Sequence, residues 1–208
     1  MQALLFDFDG VVLQTVDLKT AAFADIYAPH GPEVQQRVVA YHRAHGGISR
    51  YEKFRVWERE LLGKKPTEAD IEQLAQQFSN LVYEKVLAAP FVPGAREFLE
   101  HWSRRVPCFV CTGTPDAEIQ RVIDARGFRP WFREVCGSPR RKPEIIRYLL
   151  KKYALDRTGV RFFGDATTDY EAARKTNVPF IGIESDHTDF PPGTVVWQDF
   201  TGTIGTNI

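Results

Sequence analysis

The chain has 208 residues, 43% hydrophobic and 26% charged, with 27 basic side chains balancing 27 acidic ones. That length allows one well-buried core plus a smaller second unit, and the zero formal charge offers no global field toward nucleic acid or an anionic membrane. No uncharged apolar run approaches the ~20 residues that span a bilayer. The opening MQALLFDFDG has no basic n-region and is interrupted by Asp7 and Asp9, so a signal peptide is not expected and a cytoplasmic protein is. Cys108, Cys111 and Cys136 are odd in number and lack CxxC spacing, which argues against a disulfide framework or a zinc knuckle and for small buried hydrophobes.

Taken in chain order, the first apolar run, Ala3–Phe8, reads as a buried strand. Residues 15–89 then contain no strand-like run, and polar and apolar positions mix at helical period. Ser49 and Glu52 stand at capping-box spacing ahead of Phe54, Trp57 and Leu61, and Thr67 and Asp70 repeat the pattern after Pro66. Pro93 and Gly94 introduce a helix over Ala95–Trp102, and Pro107–Cys111 is a second strand. Thr114 and Pro115 read as an N-cap and a first-turn proline, with Asp116 and Glu118 suiting the positive end of the dipole. A further strand is expected at Arg133–Cys136, and Pro143 opens a helix over Glu144–Tyr153 with Ile145, Ile146, Leu149 and Leu150 at helical spacing. Strands follow at Val160–Phe163 and Pro179–Ile183, with Val195–Trp197 a weaker one, and Thr201–Ile208 reads as a loose tail. Strands separated by helical stretches predict an α/β fold with a parallel sheet covered on both faces.

Four motifs sit at putative strand ends. In Asp7-Phe8-Asp9-Gly10, strand alternation places both carboxylates on one side, where like charges need a cation or a proton to offset them. The same pattern reads equally as solvated acids at a strand end. In Cys111-Thr112-Gly113-Thr114, a hydroxyl and backbone N–H groups face an anion site at a helix start, unless the threonines merely cap. Lys142 in Arg140-Arg141-Lys142-Pro143 is a cation at a helix N-terminus, unfavourable for the dipole without a local reason, while Arg140 and Arg141 fit a solvated basic loop. In Gly164-Asp165-Ala166-Thr167-Thr168-Asp169, Asp165 faces the site and Asp169 follows in the helix, where it could also be only a helix-start acid. An acid pair, a hydroxyl, a lysine and a second acid pair, all outside the carboxyl ends of strands, form the set that magnesium-assisted phosphoryl transfer requires.

In that order, DFDGV, VCTGT, RKP and GDATTD resemble the four motifs of the haloacid dehalogenase (HAD) hydrolase superfamily, specifically its phosphoglycolate phosphatase-like branch. The resemblance implies a Rossmann-like parallel sheet core formed by residues 1–14 and 90–208. A helical cap domain at 15–89 is inserted after the first strand. It implies that Asp7 is the nucleophile and Asp9 the general acid and base, with Thr112, Gly113 and Lys142 binding the transferring phosphoryl group. Mg²⁺ would be held by Asp7, the Asp9 carbonyl, Asp165 and Asp169. Many relatives carry Thr at Val11 and Asp or Asn near Gln14, and the second difference bears on how the cap joins the core. Asp9 favours phosphoryl chemistry over dehalogenation, which needs no proton donor there.

Within the cap, Gly46 and Gly47 break a helix, and Arg50 and Lys53 lie at the start of the next. Either could pair with a second anionic group of a substrate, or belong to an exposed face of alternating charge. The expected activity is Mg²⁺-dependent hydrolysis of a small organic phosphate monoester, such as a sugar phosphate or phosphoglycolate-like compound. A mutase of the β-phosphoglucomutase type and a non-catalytic binding module on the same fold are the alternatives. Neither nucleic acid nor membrane is an expected partner, and the sequence leaves the oligomeric state open.

Overall fold

The computed structural model describes residues 1–186 and 188–205. Six strands form one sheet: β1 (Ala3–Phe6), β2 (Cys108–Pro115), β3 (Glu134–Ser138), β4 (Val160–Gly164), β5 (Phe180–Ile183) and β6 (Val196–Trp197), ordered β3-β2-β1-β4-β5-β6 with every neighbouring pair parallel. β1 lies at the centre, flanked by β2 and β4, so the crossovers leave it in opposite directions. That is the switch point at which open parallel sheets bind ligands.

Eight α-helices accompany the described sheet: α1 (Val16–Tyr27), α2 (Pro32–Ala44), α3 (Arg50–Val56), α4 (Glu68–Ala88), α5 (Ala95–Trp102), α6 (Asp116–Ala125), α7 (Lys142–Lys152) and α8 (Thr167–Thr176). The sequence dictates how the sheet is sandwiched. Along β1, Leu4 and Phe6 enter one apolar cluster with Phe98, Ile119 and Ile123, whereas Ala3 and Leu5 enter another with Ile145, Ile146, Leu149, Ala172 and Ala173. Period-two alternation in the strand thus meets helical faces on both sides.

The helical insertion runs from α1 to α4 with no strand between β1 and β2. Its own aromatic centre holds it together: Phe23 stacks on Phe78 at 4.1 Å between centroids and meets Trp57 edge-on at 5.0 Å. α3 ends in a π-turn over Trp57–Leu61. The chain enters and leaves the insertion side by side. Gln14 N donates to Pro90 O at 2.9 Å, and the Gln14 amide donates to Phe91 O at 3.0 Å. Gln14 therefore ties the two crossings together.

Several expectations change in detail. β1 stops at Phe6, and β2 extends through Pro115, so Thr114 is a strand residue rather than an N-cap; Pro115 precedes α6 with no side-chain cap. The Thr67–Asp70 capping box forms, with bonds of 2.8 and 3.2 Å. The Ser49–Glu52 box does not, because Ser49 Oγ lies against Ser138 Oγ at 3.3 Å and Glu52 pairs with Arg141. The tail is tied as far as Phe200, which is buried and donates its N–H to Pro93 O at 3.0 Å; residues 206–208 lie outside the described residues. All three cysteines are buried and free.

Candidate active site

Asp7 follows the last residue of β1, and its N–H donates to Phe163 O of β4 at 2.9 Å, which extends the ladder by one bond and fixes the carboxylate at the switch point. Phe8 turns into the core while Asp7 and Asp9 face one cavity, as alternation requires. Gly10 sits at φ +76°, and a Cβ there would collide with the Asp165 carboxylate. Only glycine allows the two acidic segments to approach this closely.

The carboxylates of Asp7, Asp165 and Asp169 are buried and offer oxygens within 4.8 Å of one another. Lys142, from the start of α7, supplies the one cation between them: its Nζ donates to Asp7 Oδ2 at 2.7 Å and to Asp169 Oδ1 at 2.5 Å. Here is the local reason for a lysine at a helix N-terminus. Burial alone would lower its pKa, but Asp169 and Asp7 override this and raise it. One ammonium does not balance three carboxylates. Burial and the neighbouring charges raise Asp165 well above the usual carboxylate range, and Asp169, pushed mainly by burial, rises to about 7. A hard divalent cation prefers clustered carboxylate oxygens of this kind, so the residues present fit Mg²⁺.

Asp9 has a separate environment. Its carboxylate accepts from Thr15 Oγ1 at 2.6 Å, Lys19 Nζ at 2.6 Å and Thr114 Oγ1 at 2.9 Å. Burial acts to raise its pKa, but Lys19 and the two hydroxyls prevail and hold it down at about 2. Lys19 and Thr15 come from the start of the insertion and Thr114 from the end of β2, so Asp9 is gripped from both sides. Sequence reading missed Lys19 and mistook Thr114 for a cap. The signal for Lys19 was the one that flagged Lys142: a lysine near the positive end of a helix.

The remaining expected residues converge on the same place. Thr112 is buried within β2, and its hydroxyl accepts from Thr114 N at 3.2 Å. Asp7, Asp9, Thr112, Gly113, Asp165, Arg50 and Lys53 all line one cavity of about 80 Å³. Lys142 sits behind it and, with Thr112 and Gly113, faces an adjoining cavity of about 210 Å³. The Gly46-Gly47 turn closes down between them. Gly47, at φ +74°, lies so near Lys142 that a Cβ would stand 2.6 Å from its Nζ, and Thr168 Oγ1 donates to Gly46 O at 2.5 Å.

Arg50 and Lys53 are not on an exposed face; they are 5% and 2% exposed. The Arg50 guanidinium is already engaged. It forms two bonds to the Glu118 carboxylate, at 2.9 and 2.5 Å, donates to Ser79 Oγ at 2.7 Å and lies over the Phe78 ring. Lys53 instead places its Nζ 2.6 Å from His42 Nδ1.

A parallel doubly wound sheet with paired carboxylates, a hydroxyl and a lysine at its switch point defines an enzyme of the hydrolase kind. The family model of haloacid dehalogenase-like hydrolases matches residues 1–176, and the chain belongs to that family. It is 23% identical over 191 residues to the phosphoglycolate phosphatase of Synechococcus elongatus, covering 88% of this chain and 84% of the relative. It is 24% identical over 187 residues to the phosphorylated carbohydrates phosphatase of Thermotoga maritima, with 87% and 84% covered. Its fold matches the structure of YfnB from Bacillus subtilis bound to magnesium with a TM-score of 0.70 at 15% identity, over 95% of this chain and 94% of that one. No helix among the described residues is long and apolar enough to cross a membrane.

Proposed function

We propose that the enzyme is a Mg²⁺-dependent phosphatase that hydrolyses a small organic phosphate monoester through an aspartyl-phosphate on Asp7. The observation that carries this reading is the convergence of the Asp7, Asp165 and Asp169 carboxylates within 4.8 Å, bridged by Lys142 and adjoined by Asp9. The two curated relatives are phosphatases of small phosphorylated compounds, and the magnesium-bound fold relative agrees with the choice of cation.

Asp7, Asp165, Asp169 and the Asp9 carbonyl would hold Mg²⁺. When bound, it neutralises the carboxylates and draws negative charge from the phosphoryl oxygens. Asp7 attacks phosphorus, the bond to the ester oxygen breaks, and that oxygen takes a proton from Asp9. Asp9 then takes a proton from the water that attacks the aspartyl-phosphate, which frees inorganic phosphate and restores Asp7. Asp9, held ionised by Lys19 at 2.6 Å, is in the form that this second half needs; the proton for the first half comes to Asp9 from solvent. Thr112, the Gly113 backbone and Lys142 receive the phosphoryl oxygens. Residues 15–89 act as a cap domain, with the Gly46-Gly47 turn over the site.

Steady-state phosphate release across a panel of small phosphate esters, with Mg²⁺ and with EDTA, tests this reading. Release that requires the metal is expected. Release that is equal in EDTA, or absent under both conditions, would refute it.

A further inference from the structure

We propose that Lys53, backed by His42, receives a second negatively charged group of the substrate, at the end remote from the transferred phosphoryl group. The proposal rests on the phosphatase reading and names the class of ester that the site selects.

The charges around the cavity carry the argument. Lys142 is matched by Asp7 and Asp169, Lys19 by Asp9, and Arg50 by Glu118, while Arg43, which also lines the cavity, is exposed to water and needs no partner. Lys53 is buried as deeply as any of them, yet it makes no ion pair with a carboxylate among the described residues; its Nζ meets only His42 Nδ1, at 2.6 Å, and lies 5.7 Å from the centre of the Phe23 ring. Burial, and then the like charges of Lys19 and Lys142, hold its ammonium down at about 7. A leucine or methionine would fill this place between aromatic rings without that penalty. An anion delivered by a ligand removes the penalty and turns an unfavourable residue into a selective one.

Position narrows the ligand. Lys53 is close enough to Asp9 and Asp165 to feel their charge, so its anion and the phosphoryl group belong to one small molecule. The cavity, at about 80 Å³, leaves room for few heavy atoms beyond the phosphoryl group. Arg50 lines the same cavity, but two bonds to Glu118 and a third to Ser79 occupy its guanidinium. Of the two cations that the insertion places here on α3, Lys53 is the one with charge to spare.

The test uses the enzyme with Mg²⁺ and four small esters: phosphoglycolate, 2-hydroxyethyl phosphate, 1,3-propanediol bisphosphate and phosphoethanolamine. One of the two esters with a second anion is expected to exceed hydroxyethyl phosphate in kcat/KM by at least about tenfold, with phosphoethanolamine poorest. Whichever of the two leads identifies the anion as carboxylate or phosphoryl. In Lys53→Met that preference should collapse to within about twofold, mainly through KM, and Lys53→Gln should behave alike without the charge. A wild-type enzyme that hydrolyses hydroxyethyl phosphate as well as either anionic ester would overturn the inference and leave the phosphatase reading standing. So would a preference that survives in both variants. No release from any ester would overturn both.

Discussion

Two buried ionic clusters face each other across the cavity, with opposite imbalances. On the sheet side, three carboxylates share one lysine. On the insertion side, Arg50 is satisfied by Glu118 of the core, while Lys53 has only an imidazole among the described residues. Each cluster would be unfavourable as an isolated piece of protein interior. On the proposed function they would take a ligand set: a divalent cation for the first and an anion for the second, with the phosphoryl group between. Unbalanced buried charge calls for the charge of a ligand, which the Arg50–Glu118 pair, already balanced, does not.

The largest expected effect lies in the sheet-side cluster. Asp7→Asn should lower kcat by at least about 10³-fold, because it removes the attacking group itself. Its far-ultraviolet circular dichroism should match the parent, since the backbone bond from residue 7 to Phe163 O does not depend on the side chain. Substantial phosphatase activity in the purified variant would remove Asp7 as nucleophile.

The balanced pair should respond in the opposite way, with stability lost first. Arg50 and Glu118 have side-chain exposures of 4% and 11%, and they join α3 of the insertion to α6 of the core. Arg50→Met leaves Glu118 buried without a counter-charge and should reduce the unfolding free energy by about 2–4 kcal/mol. Adding Glu118→Gln should recover more than half of that loss in a denaturant double-mutant cycle. If Arg50→Met unfolds within about 0.5 kcal/mol of the parent, the pair is not architectural.

The same contrast explains what could be read from the sequence. Asp7, Asp9, Thr112, Lys142, Asp165 and Asp169 follow hydrophobic strand runs or open helices, so their neighbours along the chain announce where they point. The sheet and the helical insertion were legible for the same reason. Lys19, His42 and Glu118 were not, because they lie within amphipathic helices where a charged residue usually faces water. Their partners lie outside their own helices: Asp9 for Lys19, 10 residues earlier, and Arg50 for Glu118, 68 residues away. Thr114 was misread because a hydroxyl before proline looks like a cap, whereas its hydrogen bond goes to Asp9.

If Lys53 is held in an unfavourable place for its function, removing its charge should stabilise the free protein. Lys53→Met is expected to raise the unfolding free energy by about 1–3 kcal/mol at pH 7. The sign follows from linkage. The folded pKa, about 7, lies below the ordinary 10.5, so the unfolded chain binds more protons between those values and the wild type gains stability as pH rises through that window. The advantage of the variant should therefore be full at and below pH 7 and shrink toward pH 10.5. A variant less stable than the parent at pH 7 would mean that Lys53 is a structural residue after all.

The smallest effect isolates burial from charge. Glu52 and Arg141 also join the insertion to the core, at 3.3 Å, but their side chains are 40% and 71% exposed. Water screens this pair, and two long side chains lose rotamer freedom to form it, so Arg141→Ala should change stability by less than about 0.5 kcal/mol. The N–H of residue 141, which donates to Glu144 at the start of α7, survives the substitution. Ion pairs of the same chemistry, bridging the same two parts of the molecule, should thus differ severalfold in worth. If Arg141→Ala proved as damaging as Arg50→Met, proximity of opposite charges would be what binds the insertion to the core. Burial would then lose its place as the property that separates architectural charge from functional charge.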